Sequence, residues 1–168
     1  MKLEVTVSEI ADIFKEIQER PGQLFEMIRL DIREIVGKYL TTMMNAELTH
    51  FLGREPYVRV AEAANHRNGS YGRGFALKGV GEVHVDIPRD RNGEFKTAVI
   101  PRSKQYEEEV ARDFSILFLA GVSTRTLSMI SDRLIGRRIS PAEISSVNTE
   151  LSTAVEAWRH RDLSQESV

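Results

Sequence analysis

The sequence contains no cysteine, and that absence removes two common ways of holding a small fold together. No disulfide can form, and no thiolate-bound zinc finger or ribbon is available. Histidine is scarce: His50, His66, His84 and His160 are scattered, no pair has metal-ligand spacing, and no cofactor is expected in this chain. Long apolar runs are missing. Nothing approaches the roughly 18 residues of a membrane span, and Met1-Lys2-Leu3-Glu4-Val5 lacks the apolar centre of a signal peptide. No membrane partner is expected, and the expected compartment is the cytoplasm. Internal repeats and low-complexity tracts are also lacking. So is a large charge of one sign, since the net charge is −2. That sum hides a pattern. Residues 1–64 carry net −3, residues 65–105 carry 8 basic and 4 acidic side chains for net +4, and residues 106–168 carry net −3. A local basic patch is what steers a protein to phosphate, so the middle segment keeps nucleic acid open as a partner.

The 168 residues, 41% apolar and 29% charged, suit one globular domain or two or three small modules. Thr6-Val7-Ser8-Glu9 reads as a capping box, Ile10, Ile13, Phe14 and Ile17 follow at helical spacing, and Pro21-Gly22 ends that helix. A second helix is expected from about Gln23 to Leu52, with Gly53 as its cap. Its stripe is Leu24, Phe25, Ile28, Ile32, Ile35, Val36, Tyr39, Met43 and Leu48. A helix of some 30 residues is about 45 Å long and needs something to pack on. The stripe admits two readings, an intramolecular hairpin and a dimerisation helix.

From Asn65 the texture changes, with Gly69, Gly72, Gly74, Gly79 and Gly81 set among short alternating runs. The runs 75–77, 83–87 and 97–100, with Asn92-Gly93 as a hairpin turn, predict a small three-stranded antiparallel sheet. Helices return near Tyr106. Gly121 ends the first, Ser123-Thr124 opens the second, Gly136 closes it, and Ser140-Pro141-Ala142-Glu143 is a full start signal for the third. The expected fold class is therefore α+β and mainly helical. N-terminal helices with one long helix form an oligomerisation region over 1–64. A small basic β-sheet follows over 65–104, a three-helix helix-turn-helix over 105–160, and a frayed tail over 161–168.

A glycine-containing turn between short helices is the helix-turn-helix signature, and the last helix of that motif enters the major groove. Ser140, Ser145, Ser146, Asn148 and Thr149 are the candidates for base or backbone contact there. Ser123 and Thr124 sit at a helix N-terminus able to hold a phosphate, and Arg125, Arg137 and Arg138 can neutralise others. The alternative is a plain three-helix bundle with capping serines and solvated arginines. In the basic segment, Pro88-Arg89-Asp90-Arg91-Asn92-Gly93 places Arg89 and Arg91 at a hairpin tip, either against phosphate or paired to Asp86, Asp90 or Glu94. Enzyme chemistry has little to stand on: Asp86, Asp90, Asp113, Asp132 and Asp162 make no convincing two-metal set, and Gly69-Ser70-Tyr71-Gly72-Arg73-Gly74 precedes a strand rather than a helix.

Together these residues carry a resemblance. Glu47-Leu48-Thr49-His50-Phe51-Leu52-Gly53 ends the long helix, and Arg67-Asn68-Gly69 follows. Gly81-Glu82-Val83 leads to Ile87-Pro88-Arg89-Asp90-Arg91-Asn92-Gly93-Glu94-Phe95, then come Gly121-Val122-Ser123-Thr124-Arg125, Ile139-Ser140, Ile144-Ser145, Trp158 and Arg159-His160-Arg161-Asp162-Leu163. In this order they resemble the N-terminal part of the mutator-type bacterial insertion-sequence transposases, over about 22–163, and Pro88–Phe95 is the most specific piece. The resemblance implies binding to double-stranded DNA at terminal inverted repeats, and a homo-oligomer or a mixed oligomer with intact transposase. It also implies an Asp-Asp-Glu triad holding magnesium in a later ribonuclease-H-like domain. The first aspartate of that triad would follow the Trp-Arg segment, so the chain is expected to be truncated before catalysis, with no catalytic residue, no metal site and no activity alone. The alternative is a dimerisation-only remnant that inhibits an intact transposase.

Overall fold

Residues 7–19, 21–58 and 64–160 are described in a computed structural model, and among them are five α-helices and one sheet. Helix α1 spans Val7–Glu19, and the expected Thr6 cap lies outside the described residues. Pro21–Gln23 makes a 3-10 turn, and α2 then runs Leu24–Leu52. It ends where the sequence places its stop: Gly53 adopts φ 65° and its N–H donates to the His50 carbonyl at 3.2 Å.

The sheet differs from expectation. It has two strands, β1 (Arg67–Leu77) and β2 (Gly81–Asp90), paired antiparallel from Leu77↔Gly81 through Tyr71↔Ile87 to Arg67↔Asp90. The turn lies at 78–80, with Gly79 at φ 76° and Gly81 at φ 98°, and not at Asn92-Gly93. The expected third strand, 97–100, is captured by a helix instead. Glu47 of α2 accepts hydrogen bonds from the Thr97 hydroxyl and, at 3.1 Å, from the Ala98 N–H. Its residue Ile100 is buried in the core beside α2.

Helix α2 covers both a face and an edge of this hairpin. Val83, Val85 and Ile87 of β2 and Phe75 of β1 point to one side, where they pack with Val36, Leu40 and Met44. A two-stranded ribbon is marginal in water by itself, and this apolar contact supplies what it lacks. The outer edge of β2 is closed by polar contacts from the same helix. Arg33 Nε donates to the Val80 carbonyl at 3.0 Å, and the Asp86 N–H donates to Thr41 Oγ1 at 3.0 Å. Between them Gly37 is buried so close to β2 that an added Cβ would sit on the His84 carbonyl oxygen. The outer edge of β1 is closed at one point, where the Ala76 N–H donates to the Gln105 carbonyl at 2.9 Å and the Glu107 N–H to the Ala76 carbonyl at 3.0 Å.

Three helices follow: α3 (Glu108–Leu119), α4 (Thr124–Ile135) and α5 (Pro141–Arg159). The expected helix-turn-helix unit is not borne out. The helices share their core with the hairpin, because Ala76 and Tyr106 are buried together with Val110, Phe114, Leu127, Ile139, Ile144 and Val147. The connection between α4 and α5 is tied back to β2, with Arg137 against Glu82 at 2.9 Å. Short glycine-containing connections and a capped last helix fit many three-helix packings, and here they serve one that is built onto a sheet.

Gly37 provides a test with an unusual sign. Gly→Ala inside a helix ordinarily stabilises by about 0.5–1 kcal/mol. Here the methyl must push α2 away from β2, an overpacking that costs about 1–3 kcal/mol. Urea unfolding followed by circular dichroism should find Gly37→Ala less stable than the parent. Gly22→Ala, whose methyl meets nothing within 4 Å, should stay within about 0.5 kcal/mol. A Gly37→Ala protein at least as stable as the parent would contradict this packing.

Candidate nucleic-acid interface

The structure sorts seven of the eight basic residues of 65–105 by what they touch. Arg67 is structural: it donates to the Arg54 carbonyl at 3.2 Å and to Thr49 Oγ1 at 2.7 Å, tying β1 to the end of α2. Arg73 is structural as well, reaching the carbonyls of Pro101, Arg102 and Lys104 at 2.7, 2.9 and 3.1 Å. Lys78 pairs with Asp113 at 2.9 Å, and that hydrogen-bonded carboxylate holds its ammonium above the ordinary range. Arg89, Arg91, Lys96 and Arg102 remain exposed and form no ion pair among the described residues.

Three of these gather at one place. Arg89, Lys96 and Arg102 line a cleft of about 160 Å³ with Tyr71, Thr97 and Phe95. The Arg89 guanidinium lies 5.7 Å from the Tyr71 ring centre, a cation–π arrangement that keeps a charged and an aromatic group together at the surface. The loop beside the cleft is held from within. Asp90 is buried, and its carboxylate accepts from Asn65 Nδ2 at 2.7 Å, the Glu94 N–H at 3.0 Å and the Phe95 N–H at 3.2 Å. Gly93 takes φ 71° within this turn, and the Phe95 ring packs on Phe51 of α2 with centres 5.6 Å apart. Asp90 therefore points inward as the loop's anchor while Arg89 and Arg91 point outward. Burial raises the Asp90 pKa, but the Asn65 amide and the two backbone N–H groups outweigh it and hold the carboxyl below its ordinary value of 3.8.

The residues singled out on the C-terminal helices divide into several groups. Ser123 caps α4: its Oγ accepts from the Thr126 N–H at 3.1 Å. Thr124 is half-buried beside it. Arg125 comes together with Arg138, Ser140, Met129 and Pro141 around a groove of about 430 Å³, with Ser128 at its floor. Arg137 does not join them, since it is turned toward Glu82. Ser140 and Glu143 form the expected capping box: the Glu143 N–H donates to Ser140 Oγ at 3.2 Å and the Ser140 N–H to Glu143 Oε2 at 3.0 Å. Ser146 lines a separate cleft with Ser103, Lys104 and Gln105. Ser145 and Thr149 are exposed, and the Thr149 hydroxyl donates to the Ser145 carbonyl at 3.0 Å. The side chain of Asn148 lies outside the described residues.

What positions Arg138 and Ser140 is a pair of buried serines. Ser128 Oγ donates to the Ile139 carbonyl at 2.6 Å, and the Ile139 N–H donates to Ser131 Oγ at 2.9 Å. Two hydroxyls on the inner face of α4 thus fix both polar groups of the connecting backbone. The available signal was Ser128 and Ser131 at i, i+3 beside Leu127, where a helix core ordinarily carries apolar residues.

Metal chemistry has no support in these residues. Among the described residues no three acidic or histidine side chains are grouped to hold a metal ion. Glu82, His84 and Asp86 share one face of β2, but Glu82 is neutralised by Arg137 and the closest approach of His84 to Asp86 is 3.7 Å. A two-metal site does not fit them, and no phosphoryl-transfer step is assigned to them. Among the described residues no helix is long and apolar enough to cross a membrane.

Comparison with known proteins agrees with the sequence resemblance. The family profile described as "Transposase, Mutator family" matches residues 8–167. This chain belongs to that family. It is similar to the transposase for insertion sequence element IS905 of Lactococcus lactis, 40% identical over 138 residues, which are 79% of this chain and 35% of that protein. It is also similar to the transposase for insertion sequence element IS1201 of Lactobacillus helveticus, 32% identical over 83% of this chain and 37% of the relative. The transposase for insertion sequence element IS256 in transposon Tn4001 of Staphylococcus aureus is 28% identical over 86% of this chain and 38% of the relative. The chain thus spans about a third of the length of these relatives.

In this Mutator-family chain the Asp90 anchor carries a pH signature. A carboxyl whose folded pKa is depressed contributes stability that is full above its unfolded pKa and lost as pH falls through the folded one. The window therefore lies below the ordinary value of 3.8. Urea midpoints of the parent and of Asp90→Asn should differ by a constant amount above about pH 5 and converge as pH drops below that value. A gap that is unchanged at acid pH would mean that the carboxylate charge does not hold the loop.

Proposed function

We propose that this chain is the DNA-binding portion of an insertion-sequence transposase, holding terminal inverted repeats during transposition. Its relatives are named as transposases for insertion sequence elements, and the family membership carries that activity here as a proposal. The observation that supports DNA contact most directly is the gathering of Arg125, Arg138 and Ser140 around one groove whose lining includes no carboxylate. The Arg89, Lys96 and Arg102 cleft adds a second cationic site beside an exposed tyrosine. Arginine and lysine on phosphate supply the sequence-independent part of affinity, while hydroxyls and backbone N–H groups fix register. No catalytic residue is assigned, and magnesium chemistry stays with the ribonuclease-H-like domain that the resemblance implies.

A salt titration tests this. With a fluorescent DNA duplex, anisotropy should fall with rising salt, and Arg125→Ala combined with Arg138→Ala should reduce the slope of log K against log salt by about 2, near one per lost phosphate contact. Arg137→Ala should lower thermal stability and leave the slope unchanged, because its partner is Glu82. An unchanged slope in the double variant sinks the groove assignment.

A second reading is favoured by a different observation, the apolar side chains exposed along α2. On that reading the chain self-associates, as a homo-oligomer or with an intact transposase, and inhibits the latter if its own DNA affinity is poor. Light scattering with and without DNA separates association from DNA binding.

A further inference from the structure

The inner stripe of α2, with Val36, Leu40 and Met44, is consumed by the hairpin. A second stripe is left on the flank of the helix, about a third of a turn around from the first. Phe25, Ile28, Ile32, Ile35 and Tyr39 follow one another at spacings of 3, 4, 3 and 4, and Met43, four further on, borders the end of the line. That is the 3.5-residue period of a coiled-coil seam, which presents one apolar line to a partner helix. Phe25 is 72% exposed, Ile28 42%, Ile32 44%, Tyr39 45% and Met43 40%. The hydrogen bonds that tie α2 to the hairpin begin at Arg33, so the first two turns of α2 extend past them.

We infer that a second copy of this chain packs on the outer stripe of α2, antiparallel, about a twofold axis between Ile32 and Ile35. The inference rests on the self-association reading above and not on DNA binding. Three features select this occupant. A seam with a 3-4 period is matched by a helix of the same period, and a second copy brings one by symmetry. The exposed apolar side chains amount to on the order of 500 Å² per copy, and two copies reach the roughly 1,000 Å² that a specific interface needs. The flanking charges complete the choice. With Ile32 stacked on Ile35 of the second copy, Ile28 meets Tyr39, and Asp31 faces Lys38, whose ammonium also holds Glu34 of its own helix, on both sides of the axis. A parallel pair sets Asp31 beside Val36 instead. Those flanks mix Glu26, Asp31 and Glu34 with Arg29 and Lys38, a pattern suited to neither a phosphate backbone nor an anionic lipid surface.

The test uses the full 168-residue chain without DNA. Analytical ultracentrifugation should find a dimer for the parent, and Ile28→Glu with Ile32→Glu should raise the dissociation constant at least about a hundredfold. Both side chains are solvent-exposed in one copy, so the variant should keep its circular-dichroism spectrum and urea midpoint extrapolated to low protein concentration. Because the chain has no cysteine, orientation can be read by oxidation. A mixture of Ile28→Cys and Tyr39→Cys proteins should form a disulfide-linked dimer. Each alone should not, since like residues lie about 16 Å apart in the antiparallel pair. A parent that is monomeric at about 100 μM overturns self-association as a whole. A charged variant that stays dimeric overturns this seam alone, and single-cysteine proteins that cross-link by themselves overturn the antiparallel arrangement.

Discussion

The close approach of α2 to β2 at Gly37 is the constraint on which the remaining structure depends. Strand β2 has β1 on one side and helix on the other, and its outward-facing groups at Val80, His84 and Asp86 need cover. An exposed sheet edge is a template for unwanted pairing, and a helix laid along it removes that hazard. Arg33, Gly37 and Thr41 recur every four residues, one per turn of α2, so a single line of the helix meets the edge. A donor stands at one end, an acceptor at the other, and in the middle there is no side chain at all. Only that absence lets Met44 and Leu40 reach the apolar side of the hairpin at the same time.

Once α2 is set, the hairpin becomes the hub between two cores. Successive strand residues face opposite ways, and Phe75 and Ala76 show the consequence: the first is buried against α2, the second among α3, α4 and α5. A shift of one residue in register would exchange these assignments, so the helices at one end and the helix at the other jointly fix the pairing. The same arrangement explains why the chain between β2 and α3 stays irregular. It is captured by Glu47 of α2, by the Asp90 carboxylate and by the Arg73 guanidinium, three side-chain anchors that leave no ladder for a further strand.

Features written locally were legible in the sequence, and those requiring a distant partner were not. Gly53 and Gly136 end their helices in the left-handed conformation, and Ser123 and Ser140 cap theirs, as expected from neighbouring residues alone. The sheet is not legible locally, because Asn92-Gly93 is the stronger turn signal whereas the chain turns at Gly79. Strand β1 was partly hidden by its glycines. An added Cβ at Gly72 would strike the His84 side chain and one at Gly74 the Glu82 carboxylate, so these glycines let β2 side chains lie across β1. The basic residues were legible as a cluster but not in their separate roles. Nothing next to Arg67, Arg73 or Arg137 in sequence reveals Thr49, the Pro101 carbonyl or Glu82 as partners.

That division of roles bears on whether a chain of net charge −2 can meet a polyanion. Arg67 and Arg73 donate to carbonyl and hydroxyl oxygens, none of which carries charge, so their own charges are not cancelled. Lys78 and Glu82 are neutralised by Asp113 and Arg137. The field near the hairpin is therefore set by how its remaining charges are distributed and not by the chain total. Fields between exposed charges decay over about 10 Å at 0.1 M salt, less than the length of α2. The acidic residues of α1 and of the distant part of α2 then have little hold on a phosphate at Arg89. An ordered loop strengthens the effect, because the Asp90 anchor fixes the backbone of Arg89 and Arg91 before any partner arrives. A preorganised cation loses less conformational entropy on binding than one on a flexible segment.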